Sequence, residues 1–103
     1  MSHQQYQLIL AIKGLPPGAE ASIRVLAERM QLNHNSLVEL ADRAEETGLI
    51  RRVNSRLDNR KVCLLLTEHG NRMLRMLVEA ARKELEILAP SLLKSIHSLI
   101  RED

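Results

Sequence analysis

A mainly α-helical fold carrying one small β-hairpin is what this sequence predicts, on three observations. Apolar residues recur at helical spacing in successive segments that open on good capping residues. The apolar content comes almost wholly from Leu, Ile, Val, Ala and Met, with Tyr6 the one aromatic in 103 residues, and aliphatic stripes of that kind pack helices. One polar turn, residues 54–59, is bracketed by two short apolar runs that read as strands. The length fits a single domain with a modest core.

The elements follow in order. Residues 4–13, QQYQLILAIK, form a helix with Tyr6, Leu8, Ile9 and Ile12 near one face, and GLPPGAEA then ends it with two glycines and two prolines. Ser22 is an N-cap for IRVLAERMQ, whose Ile23, Leu26, Ala27 and Met30 make the inward stripe. Gln31 and Leu32 turn the chain, and Asn33 caps the next helix, HNSLVELADRAEET, with Leu37, Leu40, Ala41 and Ala44 inward. Gly48 closes that helix in a left-handed C-cap, with Leu49 packing back.

Two short helices meeting at a tight turn have helix-turn-helix spacing. LIRRV and RKVCLLLT then predict a hairpin, Val62, Leu64 and Leu66 alternating to one face, which makes the lobe a winged helix. Thr67 caps a long helix to about Leu88, and Pro90, at a first helical position, starts another through Ile100. Residues 1–67 are thus a winged-helix lobe and residues 68–103 a set of C-terminal helices, within one domain overall.

Charge is segregated along the chain. Residues 51–61 hold Arg51, Arg52, Arg56, Arg60 and Lys61 against Asp58 alone, whereas residues 39–46 hold Glu39, Asp42, Glu45 and Glu46 against Arg43. A focused positive patch results, although the net charge is only +2. The lack of aromatics removes the stacking platforms used on single-stranded nucleic acid. No apolar run has the length of a membrane span and the N-terminus lacks the form of a signal peptide, so a cytoplasmic location is expected. One cysteine, Cys63, has no partner for an internal disulfide and reads as a small hydrophobe in the second strand. The histidines His3, His34, His69 and His97 are scattered and suggest no metal site, and no nucleophile-and-base spacing points to catalysis.

Taken together, SIRVLAERMQLNHNSLVELADRAEETGLIRR, LDNRKVCLLLT and TEHG resemble the MarR family of winged-helix transcription regulators over roughly residues 4–75. The specific part is the ordered series of a capped recognition helix ending in Gly-Leu-Ile, an Asp-x-Arg wing, and Leu-Thr-x-x-Gly. The resemblance implies a homodimer on double-stranded DNA, with a recognition helix in each major groove and the wing toward the minor groove. Carried over by position, Asn33, His34, Asn35 and Ser36 lead the recognition helix, Glu39 follows on it, Arg60 is the wing arginine and Asp58 orients it.

The chemistry of those residues suits the roles. A helix N-terminus attracts phosphate, Asn35 can pair bidentately with adenine, and an Arg on a hairpin tip suits a narrow minor groove. Ser22, Arg24, Arg56 and Lys61 complete the expected contact set. Family members usually begin with one further helix, so dimerisation is expected to rest on Leu74, Leu77, Ala81, Leu85, Leu88, Leu92, Ile96 and Leu99. No cofactor is expected, and a small aromatic effector is the one ligand that the resemblance implies. The acidity of residues 39–46 keeps a second reading open, in which the lobe is a protein–protein interaction module that binds no DNA.

Overall fold

The computed structural model describes residues 2–101. Its elements run α1 (His3–Lys13), α2 (Ile23–Met30), α3 (His34–Glu46), β1 (Ile50–Asn54), β2 (Val62–Leu66) and α4 (Glu68–Arg101). This is the expected winged helix-turn-helix followed by a helical C-terminus.

Local chemistry sets each boundary. Ser2 opens α1 with a capping box, its Oγ accepting from Gln5 N at 3.2 Å while Gln5 Oε1 accepts from Ser2 N. Ser22 Oγ accepts from Val25 N at 3.2 Å to start α2, and Asn33 Oδ1 accepts from Ser36 N at 2.8 Å to start α3. The turn between these helices is a left-handed cap made without glycine. Gln31 stands at φ 55°, Gln31 N donates to Glu28 O, and Leu32 N donates to Ala27 O. The end of α3 repeats the device with Gly48 at φ 77°, where Leu49 N donates to Ala44 O at 2.9 Å.

β1 and β2 pair antiparallel with Ile50 opposite Leu66, Arg52 opposite Leu64 and Asn54 opposite Val62. The inner face follows the expected alternation only in part, because Val62 at its end is exposed. Cys63, which faces the other way, is buried at 3 % exposure. The physical reason is a third edge that the sequence reading lacks. Leu64 N donates to Ala21 O at 2.8 Å and Ser22 bridges to Cys63, so the segment before α2 covers that side of the hairpin.

The core sits where the three short helices meet this sheet. Leu8, Ile9, Leu26, Leu37, Leu40, Leu49, Ile50 and Leu64 are all under 2 % exposed or close to it. Leu37 and Leu40 fix the inward face of α3, and truncating either to Ala would cost about 2–5 kcal/mol.

The Leu-Thr-x-x-Gly segment acts as a staple between α4 and the end of α3. Thr67 N donates to Leu49 O at 3.0 Å, Thr67 Oγ1 donates to Gly48 O, and Gly70 N donates back to Thr67 Oγ1 at 3.0 Å. Gly70 has to be glycine, because a Cβ there would lie 2.1 Å from Leu49 O.

Two expectations for the C-terminal segment are corrected. The two helices divided near Pro90 are one helix, Glu68–Arg101, with Pro90 inside it. Proline forfeits one N–H and costs about 3 kcal/mol in a helix interior. The sequence before it is rich in Leu, Ala, Glu, Lys and Arg and the sequence after it in Leu and Ile, and together they carry the helix through. Arg82 adds surface support by bonding Glu79 at 2.5 Å and also Glu86. Leu74, expected in a dimer stripe, belongs instead to the lobe's own core at 5 % exposure, because it lies in the part of α4 that packs on the lobe. Leu77 is half-buried, whereas Ala81, Leu85, Leu88, Leu92, Ile96 and Leu99 are exposed. Among the described residues no helix is long and apolar enough to cross a membrane.

Candidate nucleic-acid interface

The turn between β1 and β2 is held by a carboxylate that lies 35 positions earlier in the chain. Glu20 Oε1 accepts from Ser55 Oγ at 2.6 Å, and Glu20 Oε2 accepts from Arg56 N at 3.0 Å. Ser55 is buried, and its Oγ in turn accepts from Leu57 N at 3.1 Å and Asp58 N at 3.2 Å. These bonds, the Ser55 hydroxyl first and the Arg56 amide second, hold the Glu20 carboxyl below its ordinary range.

At the tip, Asp58 Oδ1 accepts from Arg60 N at 3.0 Å and from Arg60 Nε at 3.1 Å, and Asp58 Oδ2 accepts from Arg60 Nη2. The expected orienting pair is therefore present. The Arg60 guanidinium, the largest influence, draws the Asp58 carboxyl below the ordinary carboxylate range, helped by the Arg60 amide. The Arg60 side chain is nevertheless 90 % exposed. An exposed pair of this kind adds little to stability but limits where the guanidinium can go.

On α3, Asn35, Glu39, Asp42 and Glu46 form one exposed stripe opposite the buried Leu37, Leu40, Ala41 and Ala44. Two of the acidic residues of this helix have a partner. Arg52 Nη2 bonds Asp42 Oδ1 and Arg52 Nη1 bonds Glu45 Oε1, both at 2.5 Å, while Arg52 N donates to Glu45 Oε2. Burial works against the charge of Arg52, but the two carboxylates outweigh it and raise its affinity for the proton. Glu39 and Glu46 have no ion pair among the described residues.

α2, α3 and the wing enclose a cleft of about 370 Å³. Its cations are Arg24, Arg52, Arg60 and Lys61, with His34 beside them, and Ile23, Val38 and Val62 give it apolar walls. The structure thus gathers Ser22, Arg24, His34, Arg60 and Lys61 of the expected contact set in one place. Asn33, Asn35, Ser36 and Glu39 lie along α3, outside that lining, and Arg56 and Asp58 sit at the wing turn. Asn33 uses its side-chain oxygen on the cap, so the amide of Ser36 is already satisfied and those of His34 and Asn35 are left for an anion.

Sequence reasoning missed Glu20, Ser55 and Arg52 as organisers of this surface. Cys63 also joins the network, its Sγ lying 3.8 Å from Glu20 Oε2. Burial first, then the nearby Glu20 charge, pushes the Cys63 thiol up and away from the reactive thiolate. Among the described residues no group of three His, Cys, Asp or Glu is placed to hold a metal ion.

With this geometry in view, comparison with known proteins is decisive. The sequence model of the MarR family matches residues 1–61. The chain belongs to the MarR family. A Bacillus subtilis relative, the uncharacterized HTH-type transcriptional regulator YfiV, is 33 % identical over 69 residues, which cover 63 % of this chain. That match spans 43 % of the relative, so the chain aligns with less than half the length of that protein.

Among solved structures, the PcaV transcriptional regulator from Streptomyces coelicolor, in complex with its natural ligand, is 28 % identical with a TM-score of 0.68. It covers 99 % of this chain, which covers 73 % of it. MepR of S. aureus, solved as a DNA complex, shares the fold at a TM-score of 0.77 and 18 % identity, over 96 % of this chain and 81 % of that one. The winged helix described above is therefore the MarR fold.

Proposed function

We propose that the chain acts as a homodimer that binds double-stranded DNA sequence-specifically, with the start of α3 in the major groove and the wing toward the minor groove. The single observation that carries this reading is the cationic cleft and wing: Arg24, Arg60 and Lys61 are exposed side by side with the open end of α3. A helix N-terminus beside exposed guanidinium groups suits a phosphate backbone, while Asn35 on the outward stripe suits a base edge.

The dimer half of the proposal rests on α4. Leu85, Leu88, Leu92, Ile96 and Leu99 are each 46–69 % exposed and recur at helical spacing beyond the part of α4 that packs on the lobe. A single lobe leaves them in water, and a second copy of the helix would bury them. Within the same reading, a small aromatic acid is the proposed effector. The cleft offers cations for a carboxylate and apolar walls for a ring, and PcaV is itself seen with its natural ligand. The same reading proposes a cytoplasmic location.

Selection of bound duplexes from a random pool tests the proposal. The expected product is a palindrome whose half-sites lie about one helical turn apart, set by dimer symmetry. A pool without enrichment, together with a monomeric mass in solution, would overturn it. Glu39 and Glu46, which have no ion pair among the described residues, favour the alternative of a protein-interaction module, for which tight protein binding with no duplex affinity is the signature.

A further inference from the structure

The wing tip carries an apolar residue that the contacts described so far leave unused. Leu57 is 90 % exposed, the highest figure among the exposed large hydrophobic residues, whose next values are 76 % and lower. It stands between Arg56 and Arg60, both exposed, at the far end of the hairpin from the core. A single exposed leucine is ordinary on a protein surface, so it is the hold on the backbone beneath Leu57 that sets it apart. Here the backbone is fixed: Leu57 N donates to Ser55 Oγ, Ser55 is buried and held by Glu20, and Lys61 N closes the turn onto Asp58 O at 2.9 Å. The chain thus uses a buried hydroxyl and a distant carboxylate to present an isobutyl group to water.

We propose that Leu57 is a specificity-determining minor-groove contact, seated against the deoxyribose walls while Arg56 and Arg60 bracket it. This rests on the DNA-binding reading above. Three physical points support it. The groove is flanked by phosphates, and the cations on either side of Leu57 match that charge. Sugar walls are apolar, and proteins that enter this groove do place leucine there. The fixed turn lowers the ordering cost of binding, so an apolar contact at its tip is converted into affinity with less loss.

The seat also discriminates between bases. A·T pairs leave the floor of the minor groove with acceptors only, whereas guanine projects its N2 amino group into it. An isobutyl group over that amino would bury a donor without a partner. Leu57 therefore favours A·T pairs beneath the wing, at positions that the recognition helix does not touch.

Arg60 and Leu57 differ in a way that a titration separates. Cations release counterions and so set the salt slope, whereas an apolar contact releases none. On a selected duplex, Leu57→Ala is expected to bind about tenfold more weakly with an unchanged slope of log affinity against log salt. Arg60→Ala should lower that slope by about one. Replacing A·T by G·C beneath the wing should weaken the wild type but not Leu57→Ala, and inosine·C, which lacks the N2 amino, should restore wild-type binding.

Leu57→Met, which keeps an apolar side chain, should restore most of the affinity and so rules out a loss through misfolding. Wild-type affinity in Leu57→Ala, or a loss that tracks the salt slope, overturns this inference alone. Failure of the wild-type protein to bind any duplex overturns the DNA reading and this inference with it.

Discussion

The wing and the recognition helix border one cleft, yet they are built on opposite electrostatic plans. The wing exposes Arg56, Arg60 and Lys61 on a turn that Glu20, Ser55 and Asp58 hold in place. α3 exposes Asn35, Glu39, Asp42 and Glu46, and two carboxylates of that helix are tied to Arg52 of β1. The difference teaches that acidity on a recognition helix need not face the ligand. Part of it joins α3 to the sheet, and Arg52, which looks like a DNA contact by composition, is the residue that does the joining. Under the proposed DNA binding, attraction for a phosphate backbone would fall mainly to the wing, and the reading of bases to α3.

Breaking the wing side of that comparison should have the largest effect. Arg60→Ala is expected to weaken duplex binding by about 1–3 kcal/mol, read by anisotropy titration, with the thermal midpoint nearly unchanged because the pair with Asp58 is exposed. Breaking the joint on the helix side comes next. Arg52→Ala should lower stability by about 1 kcal/mol and also weaken duplex binding severalfold, because Asp42 and Glu45 are then left uncompensated. Thermal denaturation and titration at two salt concentrations check both halves, and the binding loss should shrink at high salt.

Acid sharpens the contrast further. Glu20 and Asp58 both have carboxyls held below their ordinary range, so the bonds that fix the wing are complete above that range and are lost as pH falls through the depressed values. Protection of the Arg56 and Arg60 amides against exchange, corrected for the intrinsic pH dependence of exchange, should be high at neutral pH and fall only in acid. Glu20→Gln should remove that pH dependence at Arg56 and leave it at Arg60. The smallest effect is expected away from both regions. Gln31→Gly relieves a left-handed non-glycine residue and should raise stability by about 0.5–1 kcal/mol, read from the denaturation midpoint, with duplex affinity unchanged.

What the sequence made legible was local. The caps at Ser22 and Asn33, the left-handed Gly48, the inward stripe of α3 and the Asp58–Arg60 pair all act over a few residues, and each is visible as a spacing. What stayed hidden depends on chain segments that only folding brings together. Glu20 lies 35 positions from Ser55, and nothing near it in sequence marks it as the anchor of the wing. Asp42 and Glu45 read as part of an acidic face open to a protein partner because their own partner, Arg52, sits among arginines that also suit DNA. Pro90 misled in the opposite direction, since a strong local signal for a break was outweighed by the helix propensity on both sides. Leu74 and Leu85 share one periodic stripe, and only the docking of α4 on the lobe separates a core leucine from an exposed one.

The claim that the wing supplies the charge-dependent affinity, and α3 the reading of bases, is tested most directly by one set of salt titrations on a selected duplex. The double variant Arg56→Ala/Arg60→Ala and the single variant Asn35→Ala would each be compared with the wild type. The account predicts that the wing variant loses about two from the slope of log affinity against log salt. Asn35→Ala should keep the wild-type slope and lose discrimination between operator and scrambled duplex. A folded wing variant with the full wild-type slope would contradict it.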